Sequence, residues 1–235
     1  MRPILAAVLI CALAPAAEAK CARWGLKADV LTPTGAAIAA DGGILVGAVE
    51  ASDAALDSGD TASQPGWRLR IGSAVATPTQ VPLAPGLVLY RLPANATEGR
   101  LIDDHRATVG TVTVGPKTAT LGAPKLKRIG RDARGGRRPS SRITVELAAP
   151  APIGAVILVL ADAKGKPRSW GKLTATGEIK ILAFDQGRCR VLPNGTVESK
   201  PGERVTAFFV DASGRKSPLS AAVAVTSDRV DDVDE

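Results

Sequence analysis

The stretch VTAFFVDASGRKSPLS, residues 205–220, contains the parts from which the edge of a β-sheet is built. An apolar run ends at Asp211, a turn follows around Gly214, and Ser217-Pro218 opens the next segment. Val, Thr and Phe favour strands, and glycine adopts the backbone angles that tight turns need. Proline suits an edge strand because it has no N–H to donate to a neighbour. The stretch therefore predicts a strand, a turn and an edge strand.

The same alternation of short apolar runs and turn residues fills the rest of the chain, with almost no helical periodicity. Apolar runs separated by Gly, Pro, Asn and Asp predict strands and turns. The first set of predicted strands comprises residues 27–31, 43–50, 67–71, 79–83, 87–92 and 106–114. The second set comprises residues 125–130, 142–147, 155–161, 177–184, 204–211 and 219–226. Six or seven strands in about 100 residues is the spacing of a β-sandwich.

The two sets predict an all-β chain of two tandem antiparallel β-sandwich domains. We place the first domain at residues 20–118, a linker at 119–123 and the second domain at 124–226. Each domain needs two packed sheets, because a single sheet leaves one apolar face in water. Aromatic residues make up only 3% of the chain, so Val, Ile, Leu and Ala must form the cores. Residues 227–235 form an acidic tail that is predicted to be disordered.

Residues 205–220 also resemble the last hairpin of a fibronectin-type-III or bacterial Ig-like domain. The start at Ala123-Pro124 fits the same pattern, and the resemblance extends over residues 124–226. Residues 20–118 match only in their general strand pattern. The tyrosine that marks a corner of such domains is absent, because its position falls at Gly202 or Glu203. The resemblance implies an Ig-like or fibronectin-type-III-like fold and provides no catalytic residues to transfer.

The N-terminus has the layout of a secretion signal. Arg2 supplies a positive charge, residues 4–13 are apolar, and Ala17-Glu18-Ala19 is a small-x-small cleavage site. We expect cleavage after Ala19. The apolar run is shorter than the ~20 residues that span a bilayer, which disfavours an uncleaved anchor. No apolar stretch in the mature chain is long enough to span a bilayer either. The bias toward Ala, Gly and Arg favours a bacterial source and therefore a periplasmic or secreted location.

Only Cys21 and Cys189 remain after this cleavage. In an oxidising compartment two cysteines form one disulfide or remain as two free thiols, and exported proteins rarely leave thiols unpaired. We prefer the disulfide between Cys21 and Cys189. It would tie the mature N-terminus to the second domain and contribute ~2–4 kcal/mol to stability.

The most unusual local feature is a basic segment at residues 125–142, in a chain of net charge +7. Its eight basic residues are Lys125, Lys127, Arg128, Arg131, Arg134, Arg137, Arg138 and Arg142, against one acid, Asp132. Such a cluster would attract an acidic envelope polymer with an affinity that falls as salt rises. The simpler interpretation is a strand and a solvated loop with Gly135-Gly136 at its tip. No aromatic residue interrupts the cluster, so nucleic acid is not expected as a partner.

Enzymatic chemistry has little support in the sequence. The single histidine, His105, lies in Asp103-Asp104-His105-Arg106, where a carboxylate beside it would suit a hydrolase; a polar loop explains the same residues better. The ligands of a structural zinc site are missing, as are a Gly-x-Ser-x-Gly elbow and a phosphate-binding glycine-rich loop. We therefore expect neither catalytic residues nor a metal or other cofactor.

Carbohydrate recognition often uses exposed aromatic rings, and Trp170 in a polar context is the best candidate for one. Packing of Trp170 against the end of a sandwich is an equal alternative. The sequence thus predicts an exported, non-catalytic binding or structural module whose partner is another envelope protein or an acidic surface polymer. The alternative is an anion-binding protein that uses the basic segment, and a hydrolase using His105 ranks last.

Overall fold

The computed structural model describes residues 25–51, 67–103, 105–116, 120–134, 140–173, 178–185 and 200–229. These residues form sixteen β-strands and no helix, so the predicted all-β fold is confirmed. Within them, no helix long and apolar enough to cross a membrane occurs. The division into two tandem domains with a linker at 119–123 remains a prediction.

Nine of these sixteen strands precede residue 120. They are β1 (Gly25–Val30), β2 (Ala36–Ile38), β3 (Gly43–Ala51), β4 (Arg68–Ile71), β5 (Ala74–Ala76), β6 (Thr79–Ala84), β7 (Leu87–Arg91), β8 (Glu98–Ile102) and β9 (Thr108–Val114). Seven strands follow. They are β10 (Leu126–Arg134), β11 (Ser140–Leu147), β12 (Ala155–Asp162), β13 (Pro167–Lys172), β14 (Glu178–Asp185), β15 (Arg204–Asp211) and β16 (Val223–Arg229).

The first nine strands form two sheets, a four-stranded sheet in the order β1-β3-β7-β6 and a five-stranded sheet in the order β2-β9-β8-β4-β5. Buried residues from both sheets meet in the N-terminal core, which includes Ile44, Tyr90, Leu69, Leu101 and Val112. Burial raises the pKa of the Tyr90 hydroxyl above its usual value, because the phenolate would lose its hydration. The two sheets thus bury one face each against the other.

The last seven strands are hydrogen-bonded in the order β13-β12-β15-β16-β10-β11-β14. Strand β16 pairs with β15 in antiparallel fashion and with β10 in parallel fashion, and it connects the two halves of this array. Ile129 and Ile143 from one half meet Leu158, Leu160 and Phe209 from the other in the C-terminal core. The array therefore folds onto itself as a sandwich.

A third core lies between the two groups of strands. Its residues are Leu31, Leu45, Leu83, Leu87, Leu89, Ile157, Val159, Ala161, Trp170, Phe208 and Val210. We call it the shared core, because the first five come from the N-terminal sheets and their connections and the other six from the C-terminal sandwich. The described strands therefore form a stack of four β-layers with three apolar interfaces.

Strand β12 shows how the sequence produces this stack. Leu158 and Leu160 point into the C-terminal core, whereas Ile157, Val159 and Ala161 point into the shared core. Alternate residues of a strand face opposite sides, so a strand buried on both sides needs a continuous apolar run. The run at residues 155–161 is the signal for the shared core, which the sequence analysis did not predict.

The predicted and observed strands differ in identifiable places. The predicted strand at 106–114 begins at Thr108, and the short strands β2, β5, β8 and β13 were not predicted. Strand β10 continues to Arg134 rather than ending at residue 130. The predicted strand at 219–226 begins only at Val223 and continues to Arg229, so residues 227–229, which were predicted to belong to a disordered tail, lie in a strand. In the preceding segment Ser217 and Ser220 accept hydrogen bonds through their Oγ atoms from the backbone N–H groups of Phe209 and Ala207.

We predict that Phe208→Ala, a large-to-small change in the shared core, lowers the free energy of unfolding by about 3–5 kcal/mol. Phe208 is 3% exposed, so its removal leaves a cavity between two strand layers. Denaturant unfolding followed by tryptophan fluorescence and by circular dichroism measures the loss. Val75→Ala, at a residue that is 43% exposed, is the control and shifts the midpoint little. Equal effects of the two substitutions would contradict the shared core.

Candidate functional site

The turn at residues 211–215, inside the stretch that resembles a fibronectin-type-III hairpin, is held by a buried carboxylate. Asp211 is 4% exposed, and its Oδ1 accepts hydrogen bonds from the N–H groups of Ser213 and Arg215, both at 2.9 Å. Its Oδ2 pairs with the Arg215 guanidinium, at 2.6 Å from Nη2. Hydrogen bonds and an opposite charge compensate the loss of water around the carboxylate. The turn is therefore a fixed structure.

This turn connects the two groups of strands through polar contacts. The Ala39 N–H donates to Ser213 Oγ at 2.9 Å, and the Gly43 N–H donates to the Ser213 carbonyl at 3.2 Å. Thr32 Oγ1 donates to the carbonyl of Ala212 at 3.1 Å. We call these contacts the junction. Because hydrogen bonds are directional, the junction fixes how the two halves are oriented, which the apolar shared core alone does not do.

Trp170 belongs to the shared core and is not an exposed ring. It lies on β13, is 2% exposed, and donates its Nε1–H to the carbonyl of Pro85 at 3.0 Å. Its ring lies so close to Gly47 that a Cβ there would be 2.5 Å from Cη2. The hypothesis of an exposed carbohydrate-binding ring at Trp170 is therefore wrong, and the alternative of packing holds. At the rim, Lys172 Nζ pairs with Asp29 at 2.8 Å.

The basic segment is a β-hairpin more than a loop, because β10 and β11 pair from Leu126 to Arg134. A register shift between Leu126 and Arg128 marks a β-bulge at Lys127. A bulge opposes two residues to one, and Lys127 and Arg128 both contact Glu146, at 3.3 and 3.5 Å. The two side chains are 68% and 46% exposed, so these ion pairs add little stability.

The described part of the basic segment does not collect its charges on one face. Lys125 is exposed at the start of the hairpin, while Arg131 is half-buried on the side of Ile129, opposite to Arg128. Arg134 and Arg142 lie on β10 and β11. Arg137 and Arg138 lie outside the described residues, as do Ala19 and the two cysteines, Cys21 and Cys189. The anion-binding site and the disulfide remain predictions.

His105 lies in the exposed turn between β8 and β9. The Asp103 carboxylate, which a hydrolase would need beside it, instead accepts a hydrogen bond from the Ala107 N–H at 2.8 Å. Arg106 has a positive φ of 64°, which is a turn conformation. Asp104 lies outside the described residues. In the part of the chain that the structure describes, no group of three or more His, Cys, Asp or Glu side chains converges on a metal site.

Comparisons with known proteins add little to this geometry. No protein-family model and no curated protein matches the sequence. One similar solved structure contains the fibronectin(III)-like modules of CbhA from Clostridium thermocellum. It has 12% sequence identity, the match covers 85% of this chain and 94% of that chain, and the TM-score is 0.25. At such a TM-score the likeness carries no argument about function.

A second charged turn closes the far end of the C-terminal sandwich. Asp162 Oδ1 accepts hydrogen bonds from the N–H groups of Lys166 at 3.0 Å and Lys164 at 2.9 Å. Arg168 lies 4.0 Å from the Asp162 carboxylate and pairs with Glu203 at 2.6 Å. The Lys166 N–H above all, helped by the Lys164 N–H and the nearby cations, lowers the pKa of Asp162 below its usual 3.8. These contacts stabilise the turn and engage the carboxylates of both Asp162 and Glu203.

We predict that Asp162→Asn lowers the melting temperature at neutral pH and that this difference shrinks in acid. The folded-state pKa of Asp162 is depressed, so its charge stabilises the fold above the unfolded pKa of 3.8. That stabilisation disappears as the pH falls through the folded-state pKa. Melting temperatures of both proteins between neutral pH and strong acid test this. Asp41→Asn, at an exposed residue, is the control, and a difference that does not depend on pH would refute the assignment.

Proposed function

We propose that this chain is an exported, non-catalytic structural or binding module that acts as one rigid body. The observation that supports this most strongly is the shared core. Apolar residues from both groups of strands pack face to face, and the junction adds directional contacts at its side. Interfaces between domains that are polar and small permit relative motion, whereas a buried apolar one opposes it. The loops and sheet edges would therefore be presented at fixed positions to a partner.

Several local features agree with a non-catalytic role. The Asp103 carboxylate is engaged in its own turn, Asp211 is paired with Arg215, and Asp162 is held ionised by backbone donors. A general acid or base needs a pKa near the working pH and access to substrate. The carboxylates that the structure places in turns are used for structure instead.

We expect backbone amides of both groups of strands to report one common rotational correlation time in solution. NMR relaxation of the mature chain measures it. In Gly47→Val the new side chain collides with the Trp170 ring and separates the two groups of strands. Each group then tumbles as a smaller body, so the correlation times should become shorter. Gly122→Val is the matched control, because a Cβ at Gly122 meets no atom within 4 Å. Two different correlation times in the unmodified protein would contradict the rigid-body proposal.

Export is proposed from the sequence of the first residues. We expect protein recovered from the periplasm or the medium to begin at Lys20 and to contain the Cys21–Cys189 disulfide. Mass spectrometry tests both points, because alkylation should label two cysteines only after reduction. A recovered chain that keeps residues 1–19 would refute cleavage, and alkylation without reductant would refute the disulfide.

The basic segment supports a second candidate function, the binding of an acidic envelope polymer. The observation in its favour is the bulge, which places Lys127 and Arg128 side by side and exposed. Glu146 lies between them and reduces their net charge. A substitution of both cations is included in the binding experiment below and tests this candidate separately.

A further inference from the structure

The outer side of the five-stranded sheet contains a group of arginines that the sequence analysis did not single out. Leu69 and Leu101 point into the N-terminal core. Their neighbours Arg68, Arg70 and Arg100 therefore point outward, since side chains alternate along a strand. Arg68 and Arg100 are exposed and Arg70 is half-exposed. We call these three residues the arginine face.

The pairing of β4 with β8 brings two of these charges together, because Arg70 lies directly opposite Arg100. Neighbouring strands are about 4.8 Å apart, and Arg68 follows on β4 at about 6.6 Å from Arg70. In the described part of the chain, none of these three side chains makes a hydrogen bond or an ion pair. Like charges directly opposite each other destabilise a sheet. The fold therefore gains nothing from this arrangement.

The charge around the arginine face is only partly balanced. Glu98 lies two residues before Arg100 on the same strand, half-buried and opposite Thr113. Among the acidic residues of the described strands, the strand pairing places Glu98 nearest to the arginine face. Its carboxylate forms no ion pair with a described residue. Three guanidinium groups against one carboxylate leave a positive surface. Guanidinium groups that lack partners can each offer a fork of donors to an anionic group.

We propose that the arginine face binds a linear anionic polysaccharide. The row that crosses the sheet through this face is Val75, Arg70, Arg100 and Thr111. Val75 lies opposite Arg70 at one end of this row and Thr111 lies opposite Arg100 at the other. Both flanking side chains are short, so a polymer chain can lie across the two arginines. A polymer with repeated acidic groups would neutralise several arginines at once and relieve the repulsion between Arg70 and Arg100.

The composition of this face argues against nucleic acid and membranes as partners. Proteins that bind single-stranded nucleic acid without sequence preference stack bases on aromatic rings, and Trp67, the aromatic residue next to Arg68, packs against the N-terminal core. A membrane surface site needs several exposed apolar side chains. On this side of the described structure, Val75 is the single large apolar side chain that is exposed. Arginines with a threonine hydroxyl fit a sugar polymer with acidic groups better.

The test is binding of the full mature chain to heparin, a sulfated polysaccharide, at low and at physiological salt. We expect Arg70→Gln/Arg100→Gln to reduce the affinity at least about tenfold, because it removes two charged donors. The dependence of affinity on salt should become weaker. Lys164→Gln/Lys166→Gln removes the same charge from an exposed turn and should lose less affinity. Lys127→Gln/Arg128→Gln tests the basic segment in the same assay.

Stability provides a readout that separates binding from misfolding. Arg100→Glu places a carboxylate opposite Arg70, so it should raise the melting temperature while it lowers the affinity for heparin about as much as the arginine double variant does. Equal losses of affinity in the Lys164 and arginine variants would overturn the proposal. So would a loss confined to the Lys127 variant, which would instead support the basic segment, or tighter binding of a single-stranded oligonucleotide than of heparin. The rigid-body proposal is independent of all these outcomes.

Discussion

The rest of this structure depends on one constraint: the two inner layers, β1-β3-β7-β6 and β13-β12-β15, are each buried on both faces. Strands β3, β7, β12 and β15 each supply side chains to two different cores, so neither group of strands could lose the other without exposing a continuous apolar face. Such a face in water costs free energy in proportion to its area. The shared core therefore couples the folding of the two halves. The outward-facing layers, β10-β11-β14 and the five-stranded sheet, are left to carry the polar surface.

Apolar packing alone would not fix the orientation of two flat faces, because the hydrophobic effect has no direction. The junction supplies that direction. Ser213 accepts one hydrogen bond with its side chain and another with its carbonyl, and Asp211 holds the turn that presents both groups. Ala39 and Ser213 are 174 residues apart in the sequence. The same turn that resembles a family hairpin in the sequence thus has a second role as a contact between the two halves.

The strand pattern could be predicted from the sequence because it depends on local features. Strand β15 was predicted with its observed bounds, since a run of apolar β-formers ends at an aspartate that starts a turn. The fate of Trp170 could not be predicted in the same way. Its neighbours Arg168, Ser169, Gly171 and Lys172 are polar or small, yet its own side chain alternates into the shared core. Which face a strand presents to a distant sheet is a property of the tertiary structure, and no neighbouring residue encodes it.

The same reasoning explains why the sequence indicates the basic segment as an anion-binding region but not the arginine face. The basic segment is conspicuous because its residues are consecutive, whereas Arg70 and Arg100 are thirty positions apart and become neighbours through the register of β4 and β8. In the basic segment, Glu146 across the ladder compensates two cations. On the arginine face, the ladder brings like charges together instead. A charge cluster that costs the fold stability is a stronger indication of an external partner than one that the fold already neutralises.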